Sequence, residues 1–131
     1  MKLRLVVLVI WAILLFVLLA TPISMVSLTL LWPYEHAGLV SHFILFFVSV
    51  FIGLVCTKYL CSFRTRLIIF TGAGMFLSVT LELVQILIPG RDMSFGDIVF
   101  NIAGLVAGLV FCIVLYNIKK IRQLFENTGE S

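Results

Sequence analysis

Two carboxylic acids and a histidine are the residues of this sequence whose types and positions best suit chemistry. Glu82 lies well inside an apolar segment, Asp97 opens the next apolar segment, and His42 lies near the start of another. A carboxyl group that is buried in an apolar medium suits proton transfer as a general acid or base. We therefore expect Glu82, Asp97 and His42 to carry any catalysis.

Three further polar residues suit ligand binding at the same place. Arg91 would hold a phosphate or carboxylate group with its planar guanidinium, and Gln85 and Asn101 would orient that group. The same residues also fit a structural interpretation, in which a buried polar clamp ties two helices and a tight turn together. Asp97 would then serve as an acidic residue at a helix N-terminus. Ionisable residues inside a membrane indicate function by default, and both interpretations stay open.

The sequence predicts no metal site and no cofactor. His36 and His42, with nearby carboxylates, are the combination that best suits a metal ion, but their spacing matches no known ligand motif. Ser94 lacks the turn motif of a nucleophilic serine. Its position three residues before Asp97 instead resembles a capping box at a helix start.

The segments that carry these residues have the length and composition of membrane helices. The chain has 131 residues, of which 63% are hydrophobic and 11% charged. A helix needs about 20 apolar residues to cross a bilayer, and a small soluble domain could not hide so much apolar surface. We predict an all-α, polytopic membrane protein with a four-transmembrane-helix bundle. The single membrane domain, 1–131, has helices at roughly 5–31, 41–60, 67–88 and 97–117, and a cytoplasmic tail at 118–131.

Basic residues indicate the orientation of this bundle. Four spans place the N-terminus, the loop after the second helix and the tail on one side, and eight of the nine Lys and Arg residues lie there. Cytoplasmic loops carry an excess of Lys and Arg, so both termini are expected to be cytoplasmic. In the tail, Ile118, Ile121, Leu124 and Phe125 fall on one helical face, which predicts an amphipathic extension on the membrane surface. The net charge of +3 comes without a basic, aromatic stripe, so no nucleic-acid partner is expected.

Three of the predicted helices carry a stripe of polar and small residues, which should face the interior of the bundle. Within them, Gly104 and Gly108 form a small-xxx-small pair that lets another helix approach closely. The stripes are His42, Phe46, Ser49 and Gly53 on the second helix, Thr71, Gly74, Ser78, Glu82 and Gln85 on the third, and Asp97, Asn101, Gly104, Gly108 and Cys112 on the fourth.

This series of residues resembles the VanZ-like family of small bacterial integral membrane proteins, which is named for a teicoplanin-resistance protein. Many family members carry an Asp-Lys pair just before the histidine, whereas this chain has Gly38 and Leu39 there, which puts in doubt any mechanism that needs that lysine. The match covers about the last two thirds of the chain, and it consists of Glu82-x2-Gln85, Arg91, Asp97-x3-Asn101, Gly104, Gly108 and the helix opening at His42.

The resemblance implies a multi-pass protein of the bacterial plasma membrane with a link to glycopeptide resistance at the cell envelope. It implies no settled reaction, so whether the protein is an enzyme stays open. One hypothesis is an enzyme-like site that acts on an envelope lipid or a lipid-linked precursor. A second is a module that binds a lipid headgroup or a glycopeptide antibiotic. The third is an assembly protein whose polar cluster is structural. Membrane lipids are expected partners, and the sequence does not indicate an oligomeric state.

Overall fold

The computed structural model describes residues 2–20, 37–87, 94–118, 121 and 124–126. These residues form helices α1 (Lys2–Ala20), α2 (Ala37–Cys56), α3 (Phe63–Gln85) and α4 (Phe95–Asn117), and the described part of the chain contains no strand. The all-helical prediction is therefore confirmed. Residues 21–31, which the sequence analysis assigned to the first helix, lie outside the described ranges.

Within the described ranges, three helices are long and apolar enough to cross a membrane. They comprise Gly38–Cys56, Phe63–Gln85 and Phe95–Asn117, while α1 contributes the shorter apolar stretch Leu3–Leu18. Their outward surfaces are rich in exposed Ile, Val, Leu and Phe side chains. Exposing such an apolar surface to water has an unfavourable free energy, so the architecture fits a bundle that is embedded in lipid.

The interior of the bundle follows the predicted stripes. All five stripe residues of α4 are buried, and on α3 the stripe is buried from Ser78 to Gln85. Helical periodicity explains this agreement, because residues three and four apart lie on one face.

The backbones of α2 and α4 approach each other directly at two glycines. A Cβ atom on Gly104 would collide with the carbonyl oxygen of Phe43, and one on Gly108 would lie 2.8 Å from the carbonyl oxygen of Phe47. Only the missing side chains permit this approach. Since Phe43 follows His42 in the chain, the crossing holds the start of α2 against the start of α4.

A helix cap at Ser62 determines where α3 begins. The Ser62 hydroxyl accepts a hydrogen bond from the backbone N–H of Thr65 at 3.3 Å, so α3 begins at Phe63. Arg64 and Arg66, which fall between the predicted helices at 41–60 and 67–88, therefore lie in the first turns of α3. The reason is this local cap, which satisfies an otherwise unpaired N–H group at the helix start.

Phe125, in the described part of the tail, packs against the bundle. Phe125 is fully buried and contacts the rings of Phe63 and Tyr116, which stack on each other with centroids 4.0 Å apart. The buried Arg66 guanidinium donates to the carbonyl oxygens of Leu54 and Phe125. A buried charge needs such acceptors, and one of them comes from the tail.

The predicted amphipathic extension of the tail stays a prediction, and its four apolar residues differ in exposure. Phe125 is buried and Ile121 packs against the core, but Ile118 and Leu124 are exposed. The burial of Phe125 accompanies the hydrogen bond from Arg66 to its carbonyl oxygen.

Basic side chains gather at the same end of the bundle. The Arg4 guanidinium lies 4.6 Å from the centroid of the Tyr59 ring, and the Lys58 ammonium lies 5.3 Å from it. The start of α1 is thus beside the end of α2. Halfway along, Trp11 donates from Nε1 to the Ser49 hydroxyl at 2.9 Å. His42, at the start of α2, lies at the opposite end.

Candidate functional site

His42 joins α2 to α4 at the end of the bundle opposite the basic residues. Its side chain is 3% exposed, and its Nδ1 atom lies 2.9 Å from the Oδ1 atom of Asn101. Because an amide oxygen only accepts hydrogen bonds, Nδ1 carries the donated proton. In the neutral ring the lone pair is then on Nε2.

The Nε2 atom of His42 faces a carboxylate. Asp97 Oδ2 lies 3.6 Å from it, which is longer than a normal hydrogen bond. Asp97 is in the first turn of α4, where the helix dipole favours a negative charge. A lone pair and a carboxylate oxygen face each other across this gap, and a proton or a cation between them would make the contact favourable.

Glu82 ties the end of α3 to the start of α4. Its side chain is fully buried, and its Oε2 atom accepts a hydrogen bond from the backbone N–H of Ser94 at 3.2 Å. Ser94 is the N-cap of α4, and its hydroxyl accepts from the backbone N–H of Asp97 at 3.4 Å. The predicted capping role of Ser94 is thereby confirmed.

The second hydrogen bond of the predicted capping box, from the Ser94 N–H group to Asp97, is replaced by another contact. In a standard box the acid three residues after the cap accepts from the N–H of the cap residue. Here Glu82 of α3 accepts from the Ser94 N–H group, and Asp97 faces His42. A local sequence pattern could not show this, because the substitute acceptor comes from another helix.

The three residues predicted to carry catalysis come together. His42, Glu82 and Asp97 each place one nitrogen or oxygen atom within 4.8 Å of the others, and all three are buried. Asn101 is fully buried beside His42. We call His42, Glu82, Asp97 and Asn101 the polar cluster. Gln85, a predicted ligand-binding residue, is buried one turn beyond Glu82 on α3.

Arg91, the predicted ligand of a phosphate or carboxylate group, lies outside the described residues, as does His36. The anion-binding role of Arg91 therefore stays a prediction.

Asn101 Nδ2 is buried and has no hydrogen-bond partner among the described residues. The same holds for Oγ of Ser78, which lies one turn before Glu82 on α3. An unsatisfied buried donor is unfavourable by roughly 1–3 kcal/mol. Asn101 Nδ2 is therefore available to donate to a bound oxygen atom. Ser78 belongs to the polar stripe that the sequence predicts on the third helix, but it is not among the predicted site residues.

An apolar cavity of about 160 Å³ lies one helical turn from the polar cluster, toward the middle of the bundle. Phe46 and Leu105 line it, and they follow His42 and Asn101 by one turn on α2 and α4. Trp11 of α1 and Leu77 of α3 also line it, so all four helices contribute. The polar cluster thus lies beside a space suited to a hydrocarbon chain.

The chain has no match among characterised proteins that would assign it a family. No family model, no curated protein and no solved structure matches it.

Proposed function

We propose that this chain is a multi-pass protein of the bacterial plasma membrane whose polar cluster acts by proton transfer on an envelope lipid or a lipid-linked precursor. The observation that supports this most is the convergence of His42, Glu82 and Asp97. They come from three helices, are each at most 9% exposed, and lie within 4.8 Å of one another.

The energetics favour a functional role for this cluster. Insertion scales assign about 2.5–3.5 kcal/mol to one aspartate at the centre of a membrane helix, with less near its end. A tie between helices needs only one neutral hydrogen bond, such as the one that joins His42 to Asn101. Two buried carboxyl groups beside a histidine exceed that need. Selection for stability alone would favour apolar replacements.

The proposed reaction uses the pairing within the cluster. Asn101 holds the His42 ring so that Nε2 can accept a proton, and the Asp97 carboxylate beside it stabilises the imidazolium that forms. Glu82 supplies a second proton donor or acceptor. Arg91, by its position in the sequence between α3 and α4, is the proposed ligand of the phosphate group.

The proposed topology has four spans with both termini in the cytoplasm. Arg4 and Lys58 lie together at the end of the bundle opposite His42, and an excess of basic residues marks the cytoplasmic side. The polar cluster then faces the outer leaflet. The adjacent cavity would take part of the hydrocarbon chain of the lipid, and the VanZ-like resemblance supports a link to glycopeptide resistance.

Binding to purified protein tests the lipid class. The protein would be placed in phosphatidylcholine nanodiscs and titrated with a polyprenyl phosphate and, separately, with teicoplanin. We expect saturable binding of the polyprenyl phosphate, weakened at least tenfold by Arg91→Ala. Arg64→Ala is the matched control, because Arg64 is exposed at the other end of the bundle. Absence of saturable lipid binding by the wild-type protein would remove the proposal.

The second candidate is an assembly protein in which the cluster is structural. The hydrogen bond from Ser94 to Glu82 favours this alternative, since it joins two helices in the same way as the His42–Asn101 bond. In that case every substitution in the cluster should lower protein abundance in proportion to any loss of function. A Glu82 variant that is inactive at normal abundance would exclude it.

A further inference from the structure

We propose that the polar cluster binds one divalent transition-metal ion, of the Zn²⁺ class, through His42 Nε2, one carboxylate oxygen of Glu82 and Asp97 Oδ2. This inference rests on the proposed function, because it assigns an inorganic cofactor to the same site. It also changes the proton-transfer step: the ion would occupy the lone pair of His42 Nε2, and a water molecule bound to the ion would transfer the proton in its place. It goes against the sequence prediction of no metal, which considered spacing along the chain. Ligands from three different helices leave no such spacing pattern.

The first support is the orientation of the histidine. A metal-binding histidine almost always donates the N–H group of its other nitrogen to a carbonyl, a carboxylate or water, which fixes the ring and directs the lone pair at the ion. Asn101 Oδ1 accepts from His42 Nδ1 at 2.9 Å and so provides this contact. The lone pair on Nε2 then faces Asp97.

The second support is the spacing of the ligand atoms. Two ligands bound tetrahedrally to zinc at 2.0–2.1 Å lie about 3.4 Å apart. His42 Nε2 and Asp97 Oδ2 are 3.6 Å apart, too far for a hydrogen bond but close to this value. The remaining pairs lie within 4.8 Å. An ion would draw the atoms of such a pair together by at most about 1.4 Å, which side-chain rotation allows.

The third support is charge. Two carboxylates whose oxygen atoms lie within 4.8 Å of each other repel when both are ionised. A divalent cation that binds both Glu82 and Asp97 would replace this repulsion with attraction. Imidazole and carboxylate ligands together suit zinc and its first-row neighbours, whereas Mg²⁺ and Ca²⁺ prefer oxygen ligands alone.

The fourth support is the unused donor beside the cluster. Catalytic zinc sites have three protein ligands and keep a fourth position for water or substrate. Asn101 Nδ2 is buried and has no partner within the described ranges, so it can donate to an oxygen atom at that position. The ion would supply Lewis-acid polarisation of a phosphate oxygen, while Asn101 orients the same group.

Direct metal analysis tests this proposal. The full-length chain would carry Cys56→Ser and Cys61→Ser, because both thiols are free and could bind zinc at the other end of the bundle. After chelation with EDTA, the protein in detergent is dialysed against Zn²⁺, and bound metal is measured by inorganic mass spectrometry. We expect about one zinc ion per chain, and Co²⁺ substitution should give the visible absorption bands of a low-coordinate site.

Variants assign the ligands. Asp97→Asn and His42→Ala should each weaken zinc binding at least tenfold, and Asn101→Ala should weaken it 10- to 100-fold through the histidine orientation. Asn117→Ala, exposed at the other end of α4, is the matched control and should not change binding. Circular dichroism of each variant verifies the helical content. If a variant does not fold, the number of zinc ions bound per chain by the protein with intact ligands still tests the metal site.

Two outcomes would overturn the metal site: less than a tenth of an ion per chain in the protein with intact ligands, or equal zinc binding after Asp97→Asn. The first is expected if Arg91 neutralises the carboxylates instead. The polyprenyl phosphate titration is repeated on the chelated and the zinc-loaded protein. Lipid binding without zinc binding refutes the metal site alone, whereas zinc binding without lipid binding refutes the proposed function and supports the metal site.

Discussion

The hydrogen bond from His42 Nδ1 to Asn101 Oδ1, at 2.9 Å, joins α2 to α4 and also fixes the tautomer of the imidazole ring. Both side chains are buried, so neither atom can exchange this partner for water. One contact therefore stabilises the helix pair and directs the second ring nitrogen at Asp97. The packing of α2 against α4 and the orientation of His42 Nε2 therefore depend on the same hydrogen bond.

A double-mutant cycle should measure this coupling. Asn101→Leu removes the acceptor and leaves the buried Nδ1–H group of His42 unsatisfied, which should lower the free energy of unfolding by about 1–3 kcal/mol. His42→Leu removes the donor and leaves the buried Oδ1 atom of Asn101 without this hydrogen bond. The double variant should lose less than the sum of the two, with a coupling of about 0.5–3 kcal/mol in unfolding experiments in detergent. Additive losses would show that the bond contributes nothing to stability.

The two glycines of α4 should be far less tolerant than a glycine on the lipid-facing surface. Gly104→Ala places a methyl group against the carbonyl of Phe43, and backbone cannot rotate away as a side chain can. We expect a loss of about 1–3 kcal/mol from overpacking. A Cβ on Gly72 would meet nothing within 4 Å, so Gly72→Ala should be neutral or stabilise α3 by up to about 1 kcal/mol. Thermal unfolding of both variants tests this, and equal effects would contradict the close crossing.

Arg66 should hold the tail in place. Arg66→Met removes the donor to the Phe125 carbonyl oxygen, so the tail should detach and become sensitive to protease after residue 118. Arg64→Met is the matched control, because Arg64 is exposed two residues earlier on the same helix. Limited proteolysis of the two variants should separate them clearly. A tail that stays protected in Arg66→Met would mean that the burial of Phe125 suffices without the hydrogen bond.

The sequence predicted the buried faces well and the partners of the polar residues poorly. The stripe from Asp97 to Cys112 is buried throughout, because helical periodicity alone places those residues on one face. The partner of Asp97 could not be predicted in the same way, since the spacing of Ser94 and Asp97 fits a local cap equally well. In the structure Glu82 accepts the hydrogen bond from the Ser94 N–H group, which leaves Asp97 to face His42.

At the basic end of the bundle, too, the sequence does not predict which groups the polar residues contact. The sequence predicts Arg66 in a loop, because the apolar run of the third helix begins at Leu67. Ser62 was the local signal for an earlier helix start. The sequence marks Phe125 as apolar but does not show that it packs inside the bundle, where its carbonyl oxygen accepts from Arg66, 59 positions away.

Glu82→Gln tests most directly whether the polar cluster is a functional site. Glutamine keeps an oxygen that can accept from the Ser94 N–H group, so the tie between α3 and α4 should survive. It cannot exchange a proton or carry a negative charge. Glu82→Ala, by contrast, should lower protein abundance, because it leaves that N–H group without its acceptor.

The measurement compares lipid extracts, by mass spectrometry, from cells that produce the wild-type protein, Glu82→Gln or neither. The proposed function predicts that the wild type changes the amount of one envelope lipid or lipid-linked precursor, and that Glu82→Gln does not change it at equal protein abundance. Teicoplanin susceptibility of the same strains should follow the lipid change. A lipid change that Glu82→Gln fully retains, or identical profiles in all three strains, would contradict the proposal.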